Sequence, residues 1–139
     1  MSTAIAWFRR DLRLTDQPAL AAALAGAREV VPVYVHAPDE DGAWAPGGAS
    51  RWWLHRSLHA LDASLRERGS RLVVLRGPAV EALLGLARAT GATAVHWNRQ
   101  YEPQSIARDT RVKAALREAG LDAESHGGGL LFEPWTVQT

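Results

Sequence analysis

The sequence has 139 residues, of which 47% are hydrophobic and 22% charged, and its formal net charge is +1. This length fits one domain with a buried core, and the near-neutral charge gives no sign of a nucleic-acid-binding or membrane-binding surface in this chain. The absence of cysteine excludes disulfides and thiolate metal sites. No secretory signal or membrane-spanning run is predicted, so we expect a cytoplasmic protein.

The first predicted strand is a short apolar run, residues 4–8, and a strongly polar loop follows it. Two interpretations of this loop stay open. Either its arginines bind an anion or a polar ring, or they form an internal network of ion pairs with the carboxylates of the loop. Thr15 or Asp16 would then cap the first helix, with Pro18 in its first turn. The charged residues of the loop are Arg9, Arg10, Asp11, Arg13 and Asp16.

Four more strands alternate with helices along the chain, at residues 29–36, 72–75, 93–97 and 121–126. The continuous apolar run at 72–75 predicts burial on both faces of the sheet. Asp109 and Lys113 are spaced to form an i,i+4 ion pair on the last helix. Apolar stripes at helical spacing mark four helices: Leu20, Ala23, Leu24 and Ala27; Leu54, Leu58, Leu61 and Leu65; Val80, Leu83, Leu84 and Ala87; and Val112, Ala115, Leu116 and Ala119.

This alternation predicts an α/β fold, a doubly wound five-stranded parallel sheet with helices on both faces, which is Rossmann-like. Ligands of such sheets bind outside the carboxyl ends of the strands. Nearly every unusual polar cluster of the sequence falls in a loop at that edge, so we predict a small-molecule site there. The loops are residues 9–16, 36–50, 76–78 and 98–103.

The loop at 98–103 carries amide, guanidinium, phenol and carboxylate groups within six residues. Such groups suit a planar heterocycle, which needs hydrogen bonds at its edge and a stacking face. We interpret Gln100, Glu102 and Gln104 as functional, and Asn98 and Pro103 as structural. The chain lacks a glycine-rich phosphate loop and a nucleophile elbow, so it is predicted to bind a ligand and to contain no catalytic residue.

No metal site is predicted from the sequence. His55 and His59 are four residues apart, with Asp62 three further on, but a solvated polar helix face explains them better than a metal does. His36 ends a strand at the ligand edge, as a packing residue or as a ligand contact. The six tryptophans pack in the core, or some of them line a pocket or an interface.

Several stretches together resemble the DNA photolyase and cryptochrome family. They are W-F-R-R-D-L-R-L-T-D at 7–16, G-A-S-R-W-W-L-H-R-S-L at 48–58, V-H-W-N-R-Q-Y-E-P at 95–103, and L-F-E-P at 131–134. The resemblance implies that residues 1–129 are the N-terminal α/β domain of a deoxyribodipyrimidine photolyase. Residues 130–139 would begin the linker to a helical FAD-binding domain that this chain does not include.

The resemblance also implies a function. In that family this domain binds an antenna chromophore, a deazaflavin, a flavin or a reduced folate, which absorbs near-UV or blue light and passes excitation to FAD. Reduced FAD then donates an electron to a cyclobutane pyrimidine dimer in DNA, and the dimer splits. The parent protein would be a lyase, monomeric at full length and without a membrane partner, whereas this chain alone is not expected to be catalytic.

Eight residues stand at positions where family members hold their antenna. Gln104 and Ser105 match folate contacts, although folate binders carry an acidic residue where Ser105 stands. The positions that match deazaflavin contacts are Tyr34, Val35, His36, Arg51, Gln100 and Glu102. Gln100 replaces an acidic residue of some deazaflavin binders, so the identity of the antenna stays open.

Two alternatives remain. A cryptochrome, a photoreceptor without repair activity, shares this domain. A stand-alone nucleotide-binding α/β module, similar to universal-stress or electron-transfer-flavoprotein domains, would bind ATP or AMP, but the lack of a glycine-rich loop argues against it.

Overall fold

The computed structural model describes residues 2–9, 12, 14, 17–37 and 48–127, with only the backbone at 48–51. Within these residues all strand pairs are parallel and the sheet order is β3-β2-β1-β4-β5, which confirms the predicted fold. None of the described helices is both long and apolar enough to cross a bilayer. The elements are β1 (Thr3–Phe8), α1 (Pro18–Gly26), β2 (Glu29–His36), α2 (Gly48–Glu67), β3 (Val73–Arg76), α3 (Ala79–Thr90), β4 (Ala94–Asn98), α4 (Pro103–Glu118) and β5 (Asp122–His126).

The two faces of the sheet form two separate hydrophobic clusters. Side chains of a strand alternate between faces, so β1 contributes Ile5 and Trp7 to one cluster and Ala4, Ala6 and Phe8 to the other. The first cluster lies under α3 and α4, and the second lies under α1 and α2. Each face therefore has its own pair of helices, as a doubly wound sheet requires.

The tryptophans divide between core and surface. Trp7 and Trp97 are buried in the first cluster, with ring centroids 5.5 Å apart and planes at 64°. This edge-to-face arrangement is favourable for aromatic pairs. Trp52 and Trp53 on α2 are 60% and 67% exposed. The remaining two tryptophans lie outside the described residues, as does the predicted linker at 130–139.

Helix α1 packs on the sheet through Ala19 and Ala23, with Leu20 partly buried beside them. Ala19 and Ala23 are buried, whereas Leu24, which the sequence placed on the buried stripe, is 60% exposed. The facing strand β1 presents Ala4 and Ala6, so small side chains on both elements allow a close approach of their backbones. The predicted stripe is therefore right at Leu20, Ala23 and Ala27, which belong to or pack against the second cluster, and wrong at Leu24.

Strand β3 is an edge strand, so the predicted burial of this strand on both faces was wrong. Val74 is 55% exposed, and the strand alternates between half-buried and exposed residues. Among the described strands, only β2 pairs with it. The apolar run therefore reflects strand propensity more than burial.

Candidate functional site

The carboxyl ends of all five strands lie at one edge of the sheet. Phe8 at the end of β1 pairs with Tyr34 of β2, and Asn98 at the end of β4 pairs with His126 of β5. From β1 the chain continues to β2 on one side, and from β3 it crosses to β4 on the other side. The boundary between β1 and β4 is therefore the topological switch point, where sheets of this type open a crevice for ligands.

Arg9, the first residue after β1, is held by β4 and α4. It is 7% exposed, its Nη1 lies 2.5 Å from Asp109 Oδ1, and its Nη2 donates to the Asn98 carbonyl oxygen. Its guanidinium also lies 4.8 Å from the centroid of the Trp7 ring. For Arg9, the interpretation of an internal ion pair is confirmed, with the Asp109 carboxylate of α4 as a partner.

Asn98, the last residue of β4, connects the strand to the start of α1. Its Oδ1 accepts a hydrogen bond of 2.9 Å from the Ala19 backbone N–H, and its Nδ2 donates to Gln17 Oε1. Both Asn98 and Gln17 are buried. The side chain therefore satisfies one of the otherwise unpaired N–H groups of the helix terminus, as an N-cap side chain would. This supports the structural interpretation of Asn98.

The loop after β4 is fastened to the first two turns of α4. Arg108 Nη2 donates to Gln100 Oε1 at 3.0 Å, and Arg108 Nε lies 3.7 Å from Asp109 Oδ1. Arg108 and Ser105 are both buried. The predicted ion pair of Asp109 with Lys113 does not form, because Asp109 faces the buried guanidinium of Arg9.

The eight predicted binding residues fall into three groups. Val35 is buried in the cluster under α3 and α4, and Ser105 is buried in the first turn of α4, so neither side chain is exposed to a ligand. The side chain of Arg51 lies outside the described part of the chain. Five others are half-buried polar residues in β2, at the start of α4 or just before it: Tyr34, His36, Gln100, Glu102 and Gln104. Their joint role in binding stays a prediction.

A cavity of about 380 Å³ lies beside this edge, between α4, β5 and the loop after β4. Trp97 lines it, and the Trp97 Nε1 group is buried without a hydrogen-bond partner. Of the predicted residues, Gln100 lines the cavity. An unpaired buried N–H costs free energy.

The cavity carries three basic side chains. Lys113 Nζ donates to Ser125 Oγ at 2.9 Å and lies 5.9 Å from the centroid of the Trp97 ring. Burial lowers the pKa of Lys113, and the neighbouring Arg117 and Arg99 lower it further. The excess of positive charge suits an anionic group on a partly apolar ligand.

Sequence reasoning missed this cavity for an identifiable reason. Ile106, Thr110, Lys113 and Arg117 are spaced as one helical stripe, adjacent to the apolar stripe that marked the helix. The signal was therefore present, but only the position of β5 shows that this stripe lines a cavity. Trp97, at the end of a buried strand, carried no separate signal.

Comparisons with known proteins identify the family of this chain. The family described as DNA photolyase matches residues 4–139. The chain belongs to the DNA photolyase family. This membership decides against a universal-stress-like module, the unrelated alternative that the sequence had left open.

Curated relatives include both photolyases and cryptochromes. The chain is 47% identical over 135 residues to the deoxyribodipyrimidine photo-lyase of Agrobacterium fabrum, covering 97% of this chain and 28% of that protein. It is also 47% identical over 134 residues to Cryptochrome-2 of Arabidopsis thaliana, covering 96% of this chain and 22% of that protein. The chain thus spans less than a third of these relatives' length.

Solved structures of the family share the fold. A class III photolyase from Agrobacterium tumefaciens superposes with a TM-score of 0.91 at 45% identity, over 99% of this chain and 28% of that one. An archaeal photolyase from Sulfolobus tokodaii gives a TM-score of 0.85 at 30% identity, over 99% of this chain and 32% of that one. The archaeal protein is described with two FAD molecules, implicating a novel light-harvesting cofactor.

Proposed function

We propose that this domain binds a light-harvesting chromophore at the carboxyl edge of its sheet, within a deoxyribodipyrimidine photolyase that repairs cyclobutane pyrimidine dimers with blue or near-UV light. The observation that carries the proposal is the family match over residues 4–139. The second FAD of the archaeal relative supports a flavin-type antenna, and a deazaflavin or reduced folate is the alternative pigment. The partner would be a helical FAD-binding domain, and DNA would be bound by the whole protein.

The polar groups at the edge would suit a planar heterocycle. The amide side chains of Gln100 and Gln104 offer donors and acceptors for the ring edge, and the Tyr34 phenol offers a stacking face. Tyr34, Gln100 and Gln104 are half-buried. A pigment bound against these side chains would therefore be partly shielded from water. FAD would supply the redox chemistry of repair, and this chain's residues would bind and orient the antenna.

Fluorescence titration tests the proposal. The 139-residue chain is titrated separately with FAD, FMN, a deazaflavin and methenyltetrahydrofolate, and we expect quenched or shifted emission for at least one pigment. His36→Ala and Glu102→Gln should each weaken its binding, by about tenfold for the loss of one good hydrogen bond. Glu118→Gln, at the exposed far end of α4, is the matched control and should bind normally.

Two results would contradict the proposal. If none of the four pigments changes its fluorescence, this domain does not bind an antenna chromophore. Binding that is lost in Lys113→Gln but unchanged in His36→Ala and Glu102→Gln would move the pigment to the cavity beside α4.

A cryptochrome photoreceptor is the second candidate, since the Arabidopsis Cryptochrome-2 match is as high in identity as the photolyase match. Light-dependent loss of pyrimidine dimers, measured with the full-length protein, separates the two. A photolyase repairs them, and a photoreceptor without repair activity leaves them intact.

A further inference from the structure

Strands β4 and β5 bring three metal-ligating side chains to one face of the sheet. His96 pairs with Glu124 in the strand register, and Asn98 pairs with His126. The neighbouring Val95, Trp97 and Ala123 belong to the cluster under α3 and α4. Because side chains alternate along a strand, His96, Glu124 and His126 share the opposite face, on the α1 side.

The ligating atoms of these three residues converge. His96 Nδ1 lies 3.0 Å from His126 Nε2 and 3.3 Å from Glu124 Oε2. All three ligand atoms lie within 4.8 Å of one another. The two imidazole rings are 5.2 Å apart between centroids, with planes at 25°. His96 is buried, His126 is half-buried and Glu124 is 57% exposed, so solvent reaches the cluster from one side.

The 3.0 Å contact between the imidazoles is compatible with a hydrogen bond from the N–H of one neutral ring to the other ring. A metal ion bound by both ring nitrogens and the carboxylate is the alternative to that hydrogen bond. A tetrahedral ion with bonds of about 2.0–2.1 Å holds its ligand atoms about 3.3–3.4 Å apart. The observed separations of 3.0 and 3.3 Å from His96 Nδ1 are within a few tenths of an ångström of that geometry. Two imidazoles and one carboxylate are a donor set that suits zinc.

We propose that His96 Nδ1, His126 Nε2 and a Glu124 carboxylate oxygen bind one divalent transition-metal ion of the zinc class. Water would complete the coordination on the exposed side of Glu124. The ion would join the edge strand β5 to β4 at the carboxyl edge of the sheet. This site is separate from the proposed antenna site, and neither depends on the other.

Calorimetric titration with Zn²⁺ tests the site, using the 139-residue chain in buffer without chelator. We expect one equivalent to bind to the wild type. Glu124→Gln and His126→Gln should each weaken binding by more than the 10–100-fold that loss of an outer-sphere partner costs. Co²⁺ in place of Zn²⁺ should give a visible absorption band of the bound ion, which both variants lose.

The matched control is the exposed pair His55 and His59 on α2, whose rings are 4.5 Å apart and which could bind metal by themselves. The double variant His55→Ala/His59→Ala should keep the full equivalent of Zn²⁺. Because Glu124 is exposed, Glu124→Gln leaves the fold intact, and thermal unfolding in EDTA verifies this. No binding to the wild type, binding unchanged in Glu124→Gln and His126→Gln, or loss of binding in the α2 variant would each overturn the proposal.

Discussion

Arg9 is a buried cation whose carboxylate partner lies on an element a hundred residues further along the chain. A buried ion pair contributes little net stability compared with apolar residues, but removal of one partner leaves a desolvated charge. The consequence is a strong dependence of the fold on Asp109. The same bond fixes where the loop after β1 begins, next to the switch point.

Asp109→Ala should lower the free energy of unfolding by about 3 kcal/mol, because it removes a carboxylate that neutralises the buried Arg9 guanidinium. The control is Arg66→Ala, which removes an i,i+4 ion pair with Asp62 from a side chain that is 64% exposed. That change should cost less than about 1 kcal/mol. Urea unfolding of the two variants measures both losses of unfolding free energy. Equal losses would contradict the argument that burial makes the Arg9–Asp109 pair the more important one.

His126 makes stability depend on pH in a defined direction. Burial lowers the pKa of His126, and His96 lowers it further. The folded state therefore binds fewer protons than the unfolded state just below the usual histidine pKa of about 6.5, so stability falls as the pH decreases through that range. The resulting loss of unfolding free energy should stay below about 1 kcal/mol, because the His126 ring is partly exposed to screening solvent.

Unfolding in EDTA at several pH values checks this prediction. His126→Gln should flatten the slope below about pH 6.5. A second decline, at lower pH, belongs to Asp62, because hydrogen bonds from the Leu72 N–H and from Arg66 lower the pKa of its carboxyl group. An unchanged slope in His126→Gln would assign the effect to another group.

At the scale of elements, the exits of β2 and β3 are in contact. The Gly77 N–H donates to the His36 carbonyl oxygen at 2.8 Å, and a Cβ placed on Gly77 would lie 2.4 Å from the Ala37 Cβ. Glycine is therefore required at this position by close approach. By contrast, a Cβ on Gly85, inside α3, would meet nothing within 4 Å.

Alanine at these two glycines should have opposite effects. Gly77→Ala should lower the free energy of unfolding by about 1–3 kcal/mol through overpacking. Gly85→Ala should raise it by about 0.5–1 kcal/mol, because alanine favours the helix. The double variant Ala37→Gly/Gly77→Ala removes the clash and should recover most of the loss. Thermal or urea unfolding measures all three, and a harmless Gly77→Ala would show that the two exits are not in contact.

Periodicity in the sequence was enough to predict the strands and helices, and to predict that the loops after the strands lie at one edge of the sheet. It predicted helix α3 well, since Leu83 and Ala87 of the apolar stripe are buried. It failed where burial depends on which strand is a neighbour, as at the edge strand β3. Local spacing also proposed the wrong partner for Asp109, because nothing in the sequence near α4 shows that Arg9 arrives there.

At the scale of the molecule, the sites depend on strand order more than on any motif. The Arg9–Asp109 pair forms across the boundary between β1 and α4, and His96 meets His126 only because β5 lies beside β4. Residues this far apart in sequence carry no periodic signal. The family resemblance supplied the functional prediction, and the match over residues 4–139 bears out the family.

Strand β5 is an edge strand of the described sheet, but two of its backbone carbonyl oxygens already accept hydrogen bonds from side chains. Arg99 donates to the Ser125 carbonyl oxygen at 3.2 Å, and Arg117 donates to the Ala123 carbonyl oxygen at 3.1 Å. Exposed strand borders are templates on which other chains add strands and aggregate. A foreign strand would first have to displace two guanidinium groups here, so we expect these arginines to oppose self-association through β5.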